Sequence, residues 1–302
     1  MELPAFTVII PVRDREGSIG RAILSVLEQE YADLEVVVVD DGSSDGTSEV
    51  VKTVADSRVR LLRQQPQGVS AARNYGAAEA RGRWLTFLDS DDEALPGWLA
   101  SFAALLCLPD TGVACVGVEM LVGAGEPERI SPSPLGPIYE DSSGLFLAGS
   151  FALRLELFTE VGGYDAALAY SENTELGLRL TTLCRVRGLE IRCDPQARIR
   201  YRPSVSTGDH AKRRTIARLE SARLLLARYG ERLGREPRVL ASYWAIASVA
   251  AGRLGRFSEA RRFAVRAVAV RPWNPRHWGR LALCLVPGLG RRVWARQSGI
   301  DP

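Results

Sequence analysis

The first hundred residues alternate between short apolar runs and segments in which apolar residues recur at helical spacing. Thr7 to Val12 is a short β-branched run, and Leu34 to Val39 is an apolar run typical of a strand that is covered on both faces. Between them, residues 18–29 place Ile19, Ile23 and Val26 on one helical face. This alternation predicts an α/β protein with a mostly parallel sheet and helices on both of its faces.

The same alternation predicts four further elements before residue 90. They are a helix to about Ala55 capped by Asp45 or Thr47, a strand over Val59 to Leu62, a helix over Ser70 to Arg81, and a strand over Trp84 to Leu88. Residues 110–150 are rich in Gly, Pro and Ser around Gly123 to Gly144, and we expect a loop there. Ser171 is expected to cap a helix whose apolar face carries Leu176, Leu180 and Leu183.

From about residue 209 the pattern becomes helical and rich in arginine. Tyr243 to Gly252 and Ser258 to Val270 predict two helices that end at the prolines of Pro272 to Pro275, like a single tetratricopeptide-like unit. One such unit cannot stack into a solenoid, so we expect a helical hairpin packed on the main domain. The predicted domains are therefore residues 1–208, and a basic α-helical C-terminal region over residues 209–302.

The distribution of charge also separates these two regions. Residues 1–210 carry 19 Lys and Arg against 31 Asp and Glu, a balance of −12, whereas residues 211–302 carry 20 against 5, a balance of +15. The acidic region can hold a metal and a nucleotide. The basic region can contact an anionic partner, such as a membrane surface, a lipid diphosphate or RNA.

The composition, with 46% hydrophobic and 25% charged residues, is that of an ordinary soluble globular protein. The five cysteines have no paired spacing, and we expect buried thiols in a reducing cytosol. They are Cys107, Cys115, Cys184, Cys193 and Cys284. We expect no leader peptide, and we expect no spanning helix because no apolar stretch reaches the roughly 18 to 20 residues that one needs. The expected location is cytoplasmic, with peripheral attachment to the inner face of the membrane as an open alternative.

Polar residues follow three of the predicted strands where each strand ends. They are Pro11-Val12-Arg13, Asp40-Asp41-Gly42-Ser43 and Asp89-Ser90-Asp91-Asp92. Ligands of an open parallel sheet bind beyond these strand ends, and crowded carboxylates favour a hard divalent cation such as Mg²⁺ or Mn²⁺. Taken alone, each of these motifs has a purely structural alternative. Asp40-Asp41 can form a strand-to-helix turn with a helix cap, and Arg73 can be a solvated helix residue.

Three ordered stretches resemble family-2 glycosyltransferases of the GT-A fold, over roughly residues 6–205. They are TVIIPVRDREGSIGRAILSVLEQEYADLEVVVVDDGSSDGT, QGVSAARNYGAAEARGRWLTFLDSDDE and GSFALRLELFTEVGGYDAALAYSENTELGLRL. The resemblance implies a Rossmann-like nucleotide-diphospho-sugar transferase fold and an inverting enzyme. It also implies a nucleoside-diphosphate sugar as donor, most commonly a UDP-sugar, and a divalent metal as cofactor.

The resemblance also implies a role for individual residues. At the base and ribose, the resemblance places Pro11, Val12 and Arg13, with Asp41 at the base edge and Asp40 supporting the turn. Arg73 would face the diphosphate or ribose, and Asp89 with Ser90 would contact ribose. Asp91 would bind the metal. Some relatives complete the metal site with a histidine from the region of His210. A surface histidine is the alternative there.

The general base departs from the family's pattern. Relatives usually open a helix with a Glu-Asp pair, whereas this chain reads Ser171-Glu172-Asn173-Thr174-Glu175, and an amide at Asn173 cannot accept a proton. Glu172 is therefore the first candidate base and Glu175 the second. Alternatively, Glu172 only complements the positive end of the helix dipole.

Several functional alternatives remain open. The expected acceptor is a hydroxyl on a glycan, a lipid-linked molecule or a small molecule, in polysaccharide biosynthesis. Arg291, Arg292 and Arg296 with Trp294 can form an interfacial segment on anionic lipid, or these charges are simply solvated. Asn173 keeps open a nucleotide-sugar-binding protein or scaffold with impaired turnover. The chain has no recognisable RNA-binding module and no G-x-G-x-x-G after its first strand, which disfavours a nucleic-acid partner and a nicotinamide dehydrogenase.

Overall fold

The computed structural model describes residues 5–121, 125–202 and 208–286, with residues 288 and 293. The chain divides into two compact units, Met1–Ala166 with Glu172–Ser204 and Ala167–Ser171 with Val205–Pro302. The strands of the first unit are β1 (Phe6–Val12), β2 (Leu34–Asp40), β3 (Val59–Arg63), β4 (Trp84–Phe87), β5 (Glu93–Ala94), β6 (Thr111–Met120), β7 (Glu128–Ile130), β8 (Ser133–Pro134), β9 (Ser143–Gly144), β10 (Phe151–Arg154) and β11 (Glu190–Tyr201). Its helices are α1 (Ile19–Leu27), α2 (Thr47–Thr53), α3 (Val69–Ala78), α4 (Trp98–Leu106), α5 (Leu155–Glu160) and α6 (Glu172–Arg187), with a 3₁₀ turn at Pro137–Tyr139.

The main sheet of the described residues has the strand order β3-β2-β1-β4-β10-β6-β11-β5, with β7 paired to β6. Strands β3, β2, β1 and β4 are parallel neighbours, whereas β10 runs antiparallel to both β4 and β6. Strands β8 and β9 form a separate two-stranded sheet. The parallel half therefore presents the carboxyl ends of β1, β2 and β4 at one edge, which is where open α/β sheets bind ligands.

Two hydrophobic cores lie on opposite faces of this sheet, because successive side chains of a strand point to opposite faces. Val8, Ile10 and Val12 of β1 belong to one core, which the apolar residues of α1, α2 and α4 cover. Ile9 belongs to the other core, which residues of α3, α5 and α6 cover. The sheet of the first unit is thus buried on both faces, and this confirms the predicted α/β fold. The sheet was predicted to be mostly parallel, and its parallel pairs are those of β3, β2, β1 and β4 in that order and of β6 with β11, whereas the other pairs are antiparallel.

The expected loop over residues 110–150 was wrong for its first part. Strand β6 is ten residues long and buried along nearly its whole length. Its glycines mark close approaches rather than turns, since a Cβ at Gly112 would lie 3.1 Å from Leu189 Cβ, and one at Gly117 would lie 2.7 Å from the Pro195 carbonyl oxygen. Small residues here allow neighbouring segments to pack closely. The same residues are common in loops, so composition alone predicted a loop.

The earlier elements agree with the predictions to within a few residues. The cysteines are all free, as expected, but Cys107 is exposed and Cys193 is half-buried, so the expectation of five buried thiols was wrong for these two. No helix among the described residues has the length and apolar character that crossing a bilayer requires.

The second unit is helical. Its helices are α7 (Gly208–Gly234), α8 (Pro237–Arg253), α9 (Phe257–Val270) and α10 (Pro275–Leu285). Alanines dominate the buried faces of the predicted hairpin, for example Ala247 on α8 and Ala264 on α9, and such small side chains let helices approach closely. The prolines after α9 do not end the helical region, because Pro275 occupies the first turn of α10, where its missing N–H costs no hydrogen bond.

Candidate functional site

A cavity of about 230 Å³ lies at the carboxyl ends of β1 and β4 in the first unit. It collects most of the site residues that the sequence predicts. Its lining consists of Pro11, Arg13, Arg15, Val69, Arg73, Asp89, Ser90, Asp91 and Glu172. Residues far apart in sequence therefore meet at the sheet edge because the strands that carry them are parallel neighbours.

Arg73 is the central cation of this cavity. Its side chain is only 1% exposed and is paired with two carboxylates. Nη2 lies 2.7 Å from Asp89 Oδ1, and Nη1 lies 2.9 Å from Glu172 Oε1. Burial alone would lower the pKa of this guanidinium, but the negative charges of Asp89 and Glu172 outweigh it and raise the pKa further above its usual value. Arg73 is consequently a permanent positive charge that links a strand-end carboxylate to the first residue of α6.

The acidic segment after β4 is electrostatically crowded. Burial raises the pKa of Asp92 to about 8, and the charges of Asp89 and Asp91 add to this effect. Asp92 is 3% exposed and accepts a hydrogen bond from the Arg202 backbone N–H. Asp91 is more accessible, and its Oδ2 lies 3.8 Å from Arg15 Nε. Such crowding is relieved by additional positive charge, so the segment favours a cation.

The Asp40-Asp41 pair shapes the loops that border the edge. Asp40 is fully buried and accepts hydrogen bonds from the Ser43 N–H and the Ser48 hydroxyl. Burial would raise the pKa of Asp40, but these hydrogen bonds lower it below its ordinary value. Asp41 accepts hydrogen bonds from the N–H groups of Gln67 and Gly68, at 2.7 and 2.8 Å. Both carboxylates thus fix the backbone around the cavity and are absent from its lining.

Glu172 begins α6 and is held from two sides. Besides Arg73, the Asn173 side-chain amide lies 3.4 Å from Glu172 Oε1, and the Tyr164 hydroxyl donates to Asn173 Oδ1 at 2.8 Å. Ser171 directly precedes the helix with a φ of 62°, a left-handed conformation that is costly for a residue with a side chain. Asn173, which cannot act as a base, therefore orients Glu172 within a chain of hydrogen bonds.

Not every predicted residue lies in the cavity. The side chain of Val12 is 3% exposed and belongs to a hydrophobic core, because it points to the opposite side of β1 from Pro11 and Arg13. Glu175 is 2% exposed and pairs with Arg179, with Nη2 and Oε2 at 2.5 Å. The side chain of His210 falls outside the described residues, as do Arg291, Arg292, Trp294 and Arg296.

Sequence reasoning missed Arg15 and Val69, and it gave no separate role to the buried Asp92. Arg15 follows Arg13 by two residues, and this spacing was the signal that could have identified it. No group of three or more His, Cys, Asp or Glu that could hold a metal occurs among the described residues. Mg²⁺ and Mn²⁺ are nevertheless commonly held by one or two carboxylates together with substrate phosphates. The oxygen donors of Asp89 and Asp91 fit that mode of binding.

Comparisons with solved structures agree with this fold. The structure of Staphylococcus aureus TarS 1–349 in complex with UDP matches with a TM-score of 0.61 at 18% identity, covering 97% of this chain and 90% of that one. The mannosyltransferase PcManGT from Pyrobaculum calidifontis, in complex with GDP-Man and Mn²⁺, matches with a TM-score of 0.57 at 19% identity, covering 98% and 89%. At such identities the likeness shows a shared GT-A fold.

Sequence relatives match over a shorter region. A Campylobacter jejuni GalNAc(5)-diNAcBac-PP-undecaprenol β-1,3-glucosyltransferase is 39% identical over 103 residues, which cover 33% of this chain and 33% of that protein. The Escherichia coli glucosyltransferase WfgD, named for UDP-Glc and α-D-GlcNAc-diphosphoundecaprenol, is 44% identical over 87 residues, covering 28% and 34%. The matches thus span about a third of the length of these relatives. The model of Glycosyl transferase family 2 matches residues 7–162, more than half of the chain. The chain belongs to glycosyl transferase family 2.

Proposed function

We propose that this protein is an inverting glycosyltransferase that transfers a sugar from a nucleoside-diphosphate donor to an acceptor hydroxyl. The observation that carries the proposal is the cavity in which Arg13, Arg73, Asp89, Asp91 and Glu172 meet at the sheet edge. We also propose that residues 1–208 form the transferase domain, because every residue lining this cavity lies within them. The basic α-helical region then comprises residues 209–302.

The donor would lie along the ends of β1 and β4. Pro11 and Arg13 line the side proposed for the base and ribose, and Asp89 with Ser90 lines the side proposed for ribose. Asp40 and Asp41 would act through the loops that they hold, and Val12 would contribute through its backbone. UDP is the proposed nucleotide, supported by the UDP complex of the TarS structure and by the UDP-Glc in the name of WfgD.

Asp91 is the residue that would hold Mn²⁺ or Mg²⁺, together with oxygens of the donor diphosphate. The cation would supply positive charge against the leaving nucleoside diphosphate. His210 stays a proposed further ligand. Arg15 lies next to Asp91 and lines the same cavity, so its charge can also stabilise the diphosphate.

Glu172 is the proposed general base. Inversion needs a carboxylate on the face of the sugar opposite the leaving group, within reach of the acceptor hydroxyl. Arg73 and Asn173 hold Glu172 Oε1, while Arg73 also binds Asp89 on the donor side. Arg73 is therefore a positioning residue that fixes the distance between base and donor site. Glu175 is the weaker candidate, because its carboxylate is buried against Arg179.

A lipid-linked glycan is the acceptor class that we propose, in polysaccharide biosynthesis. Support comes from two relatives whose names contain undecaprenol-linked glycans, and from the excess of arginine over acidic residues after residue 210. That excess suits attachment at the cytoplasmic face of an anionic membrane.

Thermal unfolding with a panel of nucleotides tests the donor site. The protein is heated with UDP, dTDP, GDP or CDP, each with Mn²⁺, with Mg²⁺ or with EDTA. A ligand at about 100 times its dissociation constant adds roughly 2.7 kcal/mol of stability. A metal-dependent shift with UDP is the expected result, whereas no shift with any nucleotide would contradict the proposed donor site. Nucleotide binding without any sugar transfer would instead favour a binding protein that has lost turnover.

A further inference from the structure

The second unit contains a cavity of about 450 Å³ that is separate from the candidate donor site. Its walls come from α7, α8 and α10, from the turn before α10, and from Tyr170. Six arginines line it: Arg218, Arg238, Arg253, Arg271, Arg276 and Arg280. None of the residues that line this cavity lines the donor cavity.

These arginines have no counter-charge among the side chains that the structure describes. Among the residues that the structure describes, no carboxylate lies within the 4.0 Å of an ion pair from any of the six. In addition, the Nε groups of Arg218 and Arg253 are buried and donate to no described protein atom. Arginine is seldom buried without a partner, because desolvating an unpaired charge is unfavourable.

The cationic groups also perturb one another. Burial, followed by the charge of Arg218, lowers the pKa of Arg253, and burial with the charge of Arg276 does the same for Arg280. His277 is 4% exposed, and burial together with Arg280 and Arg271 lowers its pKa, so it is neutral at pH 7. Repulsion among these groups is removed when an anion occupies the space between them.

The lining offers hydrogen-bond geometry as well as charge. Guanidinium groups present paired N–H donors that match the oxygens of a phosphate. The Asn274 side chain caps α10 by accepting from the Arg276 N–H, and this fixes the start of the helix that carries Arg276 and Arg280. The Tyr170 ring lies 5.0 Å from the Arg218 guanidinium and orients it.

We propose that this cavity binds a phosphate or diphosphate group, carried either by a soluble molecule or by a lipid headgroup. Its volume lies within the range of about 300–1,000 Å³ that is usual for small-molecule sites, so it has room for more than one phosphate. The site is independent of the proposed transferase function, because it shares no lining residue with the donor cavity. A single-stranded RNA would approach by its phosphates too, but Tyr170 is the only Tyr, Phe or Trp among the described residues that line the cavity, whereas RNA sites stack several bases.

Calorimetric titration of the full chain with sodium pyrophosphate in EDTA tests the site. Wild type is compared with Arg253→Gln and Arg280→Gln, and with Arg213→Gln as a control, since Arg213 is an exposed residue of α7 outside the cavity. Each cavity variant is expected to bind pyrophosphate at least about 10-fold more weakly, because a charge-assisted hydrogen bond is lost. The control is expected to bind like wild type.

If Arg253→Gln does not fold, Arg276→Gln replaces it, because Arg276 is exposed at the rim of the cavity. Equal pyrophosphate affinity in wild type and the cavity variants, or no binding to wild type, would overturn the proposal. EDTA keeps this result distinct from a failure of the metal-dependent donor site.

Flotation with phosphatidic acid vesicles distinguishes the two sources of the phosphate. A lipid source predicts flotation that pyrophosphate competes away and that Arg280→Gln abolishes. A soluble source predicts pyrophosphate binding without flotation. Tighter binding of an oligouridylate than of pyrophosphate, with equal loss in the control variant, would identify a general RNA surface and contradict the proposed site.

Discussion

The two units of this protein differ in how the charges of their enclosed arginines are compensated. In the first unit, Arg73 lies between Asp89 and Glu172 at hydrogen-bond distance. In the second unit, Arg253 is half-buried beside Arg218, and no described carboxylate pairs with it. The first arrangement is neutralised by carboxylates of the fold, whereas we propose that an anion neutralises the second. Charge that the fold compensates supports structure, and charge that it leaves uncompensated indicates a ligand.

Removing the proposed base is expected to have the largest effect on activity. Glu172→Gln keeps the shape and the hydrogen bond to Arg73 but cannot accept a proton, so transfer should fall by about 10²- to 10⁴-fold. Sugar transfer and UDP binding are measured on the same preparations. Glu49→Gln, at an exposed position on α2, serves as the isosteric control and should retain full activity. Near-normal turnover of Glu172→Gln would exclude Glu172 as the base.

Removing the compensated arginine is expected to have the largest effect on stability. Arg73→Met leaves two carboxylates facing each other without their cation, and breaking such a buried pair costs about 3 to 5 kcal/mol. Urea denaturation measures the free energy of unfolding. The matched control is Arg187→Met, whose pair with Glu160 is exposed and should contribute about 1 kcal/mol or less. Similar losses for both variants would contradict the difference in burial on which the comparison depends.

The acidic cluster is expected to depend on a cation. With Mn²⁺ and UDP at about 100 times its dissociation constant, wild type should gain roughly 2.7 kcal/mol over the sample in EDTA. Asp91→Asn should lose most of this gain, because an amide is a weaker ligand for a hard cation. Thermal unfolding provides the measurement, with Asp33→Asn, at an exposed position just before β2, as control. An Asp91→Asn protein that responds to metal like wild type would show that the ligand lies elsewhere.

Substitution of Arg253, which no described carboxylate neutralises, should change the free energy of unfolding in the opposite direction to substitution of Arg73. In phosphate-free buffer, Arg253→Met removes a half-buried cation that faces Arg218, and the free energy of unfolding should rise by about 1 kcal/mol or less. The free energy of unfolding of this variant is measured by urea denaturation and compared with that of Arg73→Met. A loss as large as that of Arg73→Met would mean that Arg253 has a stabilising partner within the fold, and the contrast between the units would not hold.

Much of the sheet edge that carries the candidate site could be predicted from sequence. Strongly apolar runs such as Leu34 to Val39 predict buried strands from composition alone. Because neighbouring strands are parallel, the polar residues that follow each strand lie at the same edge of the sheet. By the same reasoning, Asp89, Asp91 and Arg13 were assigned to one place, and the structure puts all three in one cavity.

Other features depended on contacts between distant segments. Strand β6 was missed because Gly112 and Gly117 resemble loop residues until their close neighbours are known. Val12 was grouped with Pro11 and Arg13, although strand alternation turns its side chain into the core. The sequence shows that the second unit is rich in arginine, but it does not show that several of these arginines line one cavity.

The sequence by itself determined the α/β class, the order of the first strands and helices, the family, and the types of residue at the strand ends, since these depend on local periodicity and on adjacent residues. Tertiary structure alone decided that Arg73 bridges Asp89 to Glu172 and that Tyr164 holds Asn173 against Glu172. It also decided that arginines of α7, α8 and α10 line one cavity, in which no carboxylate of the described residues pairs with them. The physical reason is that desolvation and charge pairing depend on which groups from distant segments become neighbours, and neither can be read from local sequence.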